Sequence, residues 1–413
     1  MFGTITTIKS NDEDSLLRLV IAAFAFTLVV NTINCIINVF VPNTPIDTIV
    51  CYCFFSLIIL IALPTLVHRI SKISIIAFFL VLILYVFAFL NPYSSEYAQG
   101  YFSRTITEAF PFFVLGQSIR DERKLTEKLK KVSPYMIVVA TIYYVVILIT
   151  GGGIREDYMT FSYCLLPFSS MQLLSSIEKP SFRKLVFLSL AFGVHTLTGT
   201  RGPVVCLIVC FIGGMVFSNI SKKLRAFWVL FGIALVSFIV SPLFNYSAEF
   251  LNQLFLNLGI KNRIITKILS ENFFVSSGRQ DVANVVLNAI TQRPITGFGF
   301  LGDRSVQNGG YPHNFVLEIL CQFGVILGSM FLILLIYIYI KAFITRTSNR
   351  SILIMLFSAS FVKLMMSGTY PVEGMFFFLL GFCLNKWLYE NPTDEPDLDQ
   401  IETDSVQIEK EKL

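Results

Sequence analysis

The sequence predicts an all-α polytopic membrane protein with about 12 transmembrane helices. Two observations predict the class. The 413 residues are 54% hydrophobic and 14% charged, where a soluble domain carries about 25% charged residues. Apolar runs of roughly 20 residues recur from end to end, each long enough to cross a hydrocarbon core about 30 Å thick. A third observation, the placement of lysine and arginine, sets the orientation.

The runs lie near 16–40, 48–66, 73–91, 105–119, 133–150, 159–177, 185–199, 202–218, 226–245, 314–340, 352–369 and 374–389. The first follows a polar stretch, "TTIKSNDEDS", and no small-residue cleavage site follows it, so no cleaved signal peptide is expected. Asn31, Asn34 and Asn38 share a face of this span and suit interhelical packing. One set of connections is basic: Arg69 and Lys72, "RDERKLTEKLKK", Lys179 with Arg183 and Lys184, Lys222 with Lys223 and Arg225, and Lys341 with Arg346 and Arg350. These alternate with connections holding few basic residues, such as "VPNTPID", "NPYSSEYAQGYFSR" and "YPVEG". The positive-inside rule then puts both termini in the cytoplasm. Residues 1–413 read as a single membrane domain, with an acidic, disordered cytoplasmic tail at 390–413. The eight cysteines lie in or beside apolar runs without zinc-site spacing, and read as buried small residues.

One external segment is long, 246–312, between spans nine and ten. Within it Val282, Val285, Val286, Ala289 and Ile290 follow helical spacing, and Pro294 ends the pattern. Leu251, Leu254, Phe255 and Leu258 form a second amphipathic stretch. Such helices lie on the outer face or cap a cavity.

The external side carries Arg104, Arg155, Arg201, Lys261, Arg263, Lys267, Arg279, Arg293 and Arg304, and seven of these nine are arginine. The guanidinium fork matches phosphate oxygens in pairs, so the pattern points to an anionic, phosphate-bearing substrate. Arg201, in "LTGTRGPVVCL", sits in a tight turn between two apolar runs, where a charge is expensive and usually functional. Arg279, in "SSGRQD", opens the 282–290 helix, and N–H groups at a helix start favour anions. His313 shares this side, and histidine is the usual proton acceptor near neutral pH. Asn314 is placed to bond a sugar or orient the imidazole, and Tyr311 with Pro312 fixes the approach. Arg104, paired at i, i+4 with Glu108, Arg304 and Lys363 are further candidate substrate contacts. Glu318 lies one turn below Asn314. His195 suits an interhelical hydrogen bond, and His68 an interfacial position. "GFGFLG" (297–302) lacks the strand and helix of a dinucleotide site and reads as a flexible loop before His313. "DED" (12–14) and "DLD" (397–399) read as solvated charge. No external carboxylate cluster suggests a metal, so no metal and no cofactor are expected.

In order, "TGTRGPVV", "GRQDVANVVLNAITQRPITGFGF" and "YPHNFVLEILCQFGVILG" resemble the O-antigen polymerase and ligase superfamily, over residues 198–328. "YMTFSYCLLP" (158–167) resembles the polymerase (Wzy) branch. The departure is Pro203, where a small or apolar residue is usual. The resemblance implies a GT-C-like helical fold with a large periplasmic loop. It implies metal-independent, inverting glycosyl transfer at the periplasmic face of the bacterial inner membrane. The donor would be an undecaprenyl-diphosphate-linked oligosaccharide. Arg201 and Arg279 would bind the diphosphate, and His313 would deprotonate or position the acceptor hydroxyl. Membrane lipid and a candidate chain-length regulator are the other partners, with no nucleic acid. The leading expectation is a polymerase joining repeat units into O-antigen or capsule-type polysaccharide. The alternatives are the ligase that moves glycan onto lipid A-core, and a flippase or transporter of the same lipid-linked sugars. A transporter should place charge at the midplane and show repeat symmetry, neither of which is read here.

Overall fold

The computed structural model describes residues 2–40, 53, 56, 60, 63–149, 158–198, 201–218, 220–240, 242–257, 279–345 and 350–385. All regular structure among them is helical. In chain order the helices are α1 (Phe2–Phe40), α2 (Lys72–Leu90), α3 (Ser95–Arg104), α4 (Phe110–Ser118), α5 (Glu122–Ile149), α6 (Tyr158–Glu178), α7 (Phe182–Leu197), α8 (Arg201–Phe217), α9 (Lys222–Val240) and α10 (Pro242–Asn257). They continue with α11 (Arg279–Gln292), α12 (Asp303–Val306), α13 (Phe315–Thr345), α14 (Arg350–Phe357), α15 (Lys363–Met366) and α16 (Gly374–Cys383). Single π-turns join α3 to α4 (Thr105–Ala109) and α14 to α15 (Ser358–Val362).

Among the described residues, four stretches are long and apolar enough to cross a membrane: Glu13–Ile33, Lys72–Leu90, Glu122–Val146 and Phe315–Thr345. Helices α8 and α16 are apolar but shorter. The expected dozen spans are therefore not all matched by membrane-length helices, and the run near 48–66 falls largely outside the described residues. Exposed Phe79, Leu80, Ile83 and Phe87 on α2, and Ile333 and Tyr337 on α13, are at home against lipid. The chain is a membrane-embedded helical protein.

Helix α6 is the centre of the bundle and packs against α1, α5, α7 and α8. Its Phe161, Leu165, Phe168 and Leu174 are fully buried. Helices α4 and α16 cross in backbone contact: a Cβ on Gly116 would meet the Phe378 carbonyl and the Phe382 nitrogen, and one on Gly381 would meet the Phe113 backbone. Small residues permit this approach.

The tenth expected span, 314–340, is not one straight helix. Gly324 has φ 74° and ψ 175°, which breaks α13 into a short helix and a membrane-length one. A Cβ on Gly328 would stand 3.1 Å from Leu320 Cδ2 and 3.2 Å from the Ile319 carbonyl. A straight helix, rising about 1.5 Å per residue, would hold those positions more than about 10 Å apart, so the chain folds back on itself. The break is clamped by "GFGFLG". Val325 N–H donates to the Pro294 carbonyl (2.6 Å), Phe298 N–H to Cys321 (2.9 Å) and Gly299 N–H to Gln322 (2.8 Å). Gly297 (φ 62°) and Gly299 (φ 82°) adopt left-handed geometry to do so. The glycine run is thus a docked clamp rather than a loose loop.

Two members of "DED", Glu13 and Asp14, are not free solvated charge. Glu13 is buried and paired with Arg69, and its other oxygen accepts the N–H groups of Arg120 (3.2 Å) and Asp121 (3.3 Å). Asp14 meets Lys124 and Lys128. Lys130 pairs with Glu178 at 2.5 Å. Expectations for Arg155, Lys261, Arg263, Lys267, the side chains of Asn34 and Asn38, Leu258 and the tail at 390–413 fall outside the described residues.

Candidate functional site

His313 stands immediately before the short first part of α13. Its φ of 54° is left-handed, unusual for a residue with a Cβ, and it turns the imidazole back onto Tyr311, ring centroids 4.3 Å apart. Asn314 caps the helix: its side-chain oxygen accepts from Val316 N–H (3.0 Å) and Leu317 N–H (3.2 Å). His313 is half-buried, and Nδ1 has no hydrogen-bond partner among the described residues. Burial first, then the charges of Arg279 and Arg304, hold the ring below the usual histidine range. The imidazole is therefore neutral at pH 7.

Arg304 is wholly enclosed. Its guanidinium pairs with Asp303 and, at 2.6 Å, with Glu318, and donates to Thr369. Asp303 accepts from Gln322 Nε2 at 2.6 Å, and Tyr370 donates to Gln322 Oε1 at 2.6 Å. The rings of Tyr101 and Tyr311 lie 4.9 and 5.7 Å from the guanidinium carbon. Burial works against the charge of Arg304, but Asp303 and Glu318 outweigh it and hold its pKa above the ordinary value. The group expected as a substrate contact is occupied by its own protein. It ties the 303–313 segment to α13 and to the turn at 369–370, and supports His313 through Tyr311.

Helix α11 forms where its apolar spacing predicts, begins at Arg279, and stops before Pro294. Val286, Ala289 and Ile290 pack with Cys321 of α13. Arg279 is half-buried and acts electrostatically on both His313 and Tyr163. Arg201 is the first residue of α8 and half-buried. The Tyr163 hydroxyl fills the space a side chain on Gly202 would need. Lys363 lies 5.3 Å above the Tyr163 ring and pairs with Glu373 at 2.6 Å. Arg104 binds Glu108 as the expected i, i+4 pair, through both carboxylate oxygens (3.1–3.2 Å), at an exposed position, and senses the charge of Glu373 and Tyr101.

Direct contacts and longer-range charge interactions together link these residues in a ring. Arg304 touches Tyr101, and Glu373, Lys363 and Tyr163 are in contact, while charge interactions link His313 to Arg304 and Arg279, Arg279 to Tyr163, and Arg104 to Tyr101 and Glu373. Tyr311 and Asn314 belong to it through Arg304, His313 and the start of α13. Arg201 lies next to Gly202, whose backbone abuts Tyr163. Two members escaped the sequence reading. Tyr163 lies inside "YMTFSYCLLP", but nothing local marks one tyrosine among sixteen. Glu373 sits in "YPVEG", read only as a connection poor in basic residues.

His195 stays outside the ring. It is fully buried, with Nδ1 2.7 Å from the Ser162 hydroxyl and Nε2 3.0 Å from that of Ser169. It joins α7 to α6, as expected of an interhelical partner. His68 is exposed.

The O-antigen ligase family model (Wzy_C) matches residues 186–332. That segment holds Arg201, Arg279, Arg304, Tyr311, His313 and Asn314. This segment of the chain is similar to the O-antigen ligase family, which supports membership of the O-antigen polymerase/ligase superfamily. The superfamily comprises glycosyl-transfer enzymes of lipopolysaccharide biosynthesis, polymerases and ligases alike. Arg104, Tyr163, Lys363 and Glu373 lie outside the matched segment. No curated protein matches the chain.

Proposed function

We propose that this protein is a member of the O-antigen polymerase/ligase superfamily and a polymerase that joins undecaprenyl-diphosphate-linked oligosaccharide repeat units into O-antigen or capsule-type polysaccharide. The reaction is metal-independent, inverting glycosyl transfer at the periplasmic face of the inner membrane, and both termini are cytoplasmic. The observation that supports the reading is that Arg279 acts electrostatically on both His313 and Tyr163, the ring that abuts Gly202 next to Arg201 at the start of α8. A diphosphate leaving group gains charge as the glycosidic bond breaks, and preorganised guanidinium groups stabilise it there. Arg201 and Arg279 take that role. His313, neutral at pH 7 and with Nδ1 unpaired among the described residues, meets the acceptor hydroxyl, either orienting it or taking its proton. Asn314 fixes the helix start beneath it, and Arg304 with Tyr311 fixes the ring. The bundle's lipid-facing apolar surface accommodates a polyprenyl tail.

The second reading is the ligase, favoured by the description of the matching family model. Donor and clamp are shared, and the acceptor differs. Glycan gels of cells lacking the gene, complemented with wild type, Arg201→Ala, Arg279→Ala or His313→Ala at equal expression, separate the two. A polymerase gives a ladder with wild type and a single capped repeat with the variants. Loss of even the single repeat in the uncomplemented strain indicates the ligase. Full ladders in all three variants refute the assigned site.

A further inference from the structure

The reaction proposed above gives His313 two roles, orienting the acceptor hydroxyl or taking its proton. His313 is poorly placed to keep it. The charges of Arg279 and Arg304 oppose a third positive charge on the imidazole. A carboxylate in the same ring is a better acceptor. Asp303 and Glu318 are enclosed around Arg304, and Glu108 is held by Arg104 at an exposed rim. Glu373 differs from all three. Its side chain is 13% exposed, and it occupies the N-cap position of α16 without a side-chain capping bond, next to a helix start where a negative charge is favoured. Its ion partner Lys363 is 17% exposed. The groups that face the pair are Tyr163 and Cys164 from α6, Cys206 from α8 and Arg104 from α3. One tyrosine ring separates the pair from Gly202, beside Arg201, and Arg279 acts on that same ring.

We infer that Lys363 and Glu373 are a masked catalytic pair: the diphosphate of the donor draws Lys363 away, and the freed Glu373 carboxylate takes the proton of the acceptor hydroxyl. The inference rests on the glycosyl-transfer reading of the site. In the step, the acceptor oxygen forms a bond to the anomeric carbon and loses its proton to Glu373. The bond from that carbon to the diphosphate oxygen breaks, and its electron pair leaves with the diphosphate, whose charge Lys363, Arg201 and Arg279 neutralise. When undecaprenyl diphosphate departs, Glu373 releases the proton to water and the ion pair re-forms. Until an anionic donor arrives, Lys363 keeps the carboxylate engaged. The base is therefore exposed only when there is a leaving group to expel, which suppresses wasteful proton exchange and hydrolysis.

Two measurements on Glu373→Gln, Glu373→Asp and Lys363→Met test this. The first is the glycan ladder in complemented cells. The second is binding of undecaprenyl diphosphate to the purified full chain in detergent, with melting temperature as a control for folding. Glu373→Gln is expected to lose polymerisation by roughly 10²–10⁴, yet to bind undecaprenyl diphosphate as tightly as wild type or more tightly, because Lys363 is released. Glu373→Asp should restore part of the ladder, and Lys363→Met should weaken binding. A normal ladder with Glu373→Gln overturns the proposal. So does joint loss of ladder and binding in that variant with unchanged melting, which would make Glu373 a support for the binding site. If wild type itself neither builds a ladder nor binds undecaprenyl diphosphate, the underlying glycosyl-transfer reading fails first.

Discussion

Replacing Arg304 by methionine keeps most of the side chain's bulk and removes the guanidinium. Arg304 and Asp303 are 0% exposed and Glu318 is 1% exposed, so solvent screens none of the three. Removing one partner of a buried ion pair costs about 3–5 kcal/mol. Here two carboxylates lose the same cation, which places Arg304→Met at the upper part of that range. The penalty should depend on pH. Burial pushes the Asp303 carboxyl up, to about 7, against the pull of Arg304. Without Arg304 that pull is gone and the folded-state value rises further. Above about pH 4, the ordinary aspartate range, the native protein then holds a proton that the unfolded chain has released. Stability consequently falls as pH rises. Thermal unfolding of the purified protein in detergent should show a small loss for Arg304→Met near pH 5 and a large one near pH 8. Arg304→Lys should rescue only part of it, since an ammonium cannot fork between Asp303 and Glu318. A variant that melts with wild type at both pH values, or that loses more at pH 5, refutes the reasoning.

Three further outcomes follow from the same geometry. Gly324→Ala puts a Cβ 2.5 Å from the Ile295 carbonyl carbon and 2.9 Å from the Pro294 oxygen at a left-handed φ; the fold-back is lost, and the variant should express poorly and melt well below wild type. Gly202→Ala drives Tyr163 from its place beside α8, with overpacking that costs about 1–3 kcal/mol; Tyr163→Phe in the same chain removes the crowding hydroxyl and should return most of the loss in a melting assay. His195→Ala removes the imidazole that bridges the Ser162 and Ser169 hydroxyls, about 0.5–1.5 kcal/mol for each hydrogen bond lost. That change should lower the melting temperature while activity per folded molecule stays close to wild type.

Much of the site was legible because its members carry costs that sequence alone reveals. Arg201 between two apolar runs, Arg279 ahead of a helical period, and histidine before an apolar stretch are each locally conspicuous. Pro294 stops α11 and Glu108 pairs with Arg104 through rules that span a few residues. The break at Gly324 was illegible, since the run around it is apolar throughout. What breaks the helix is the backbone of residues 294–299 arriving from another part of the chain. The fates of Glu13 and Arg304 were hidden for the same reason. Their partners lie as far away as Arg69 and Thr369, and a charge looks solvated until the fold supplies its counter-charge. Tyr163 meets Lys363 across two hundred residues of sequence, and Glu373 meets the same lysine from beyond the turn that follows Met366; periodicity and spacing encode neither contact.

The most direct test is glycosyl transfer by the purified chain in proteoliposomes supplied only with lipid-linked repeat units. The account predicts that wild type lengthens the lipid-linked glycan while releasing undecaprenyl diphosphate in step. Arg201→Ala and Arg279→Ala should each lower that release by about 10²–10³ at unchanged melting temperature. Release at the wild-type rate by both arginine variants, or none by wild type, would contradict it.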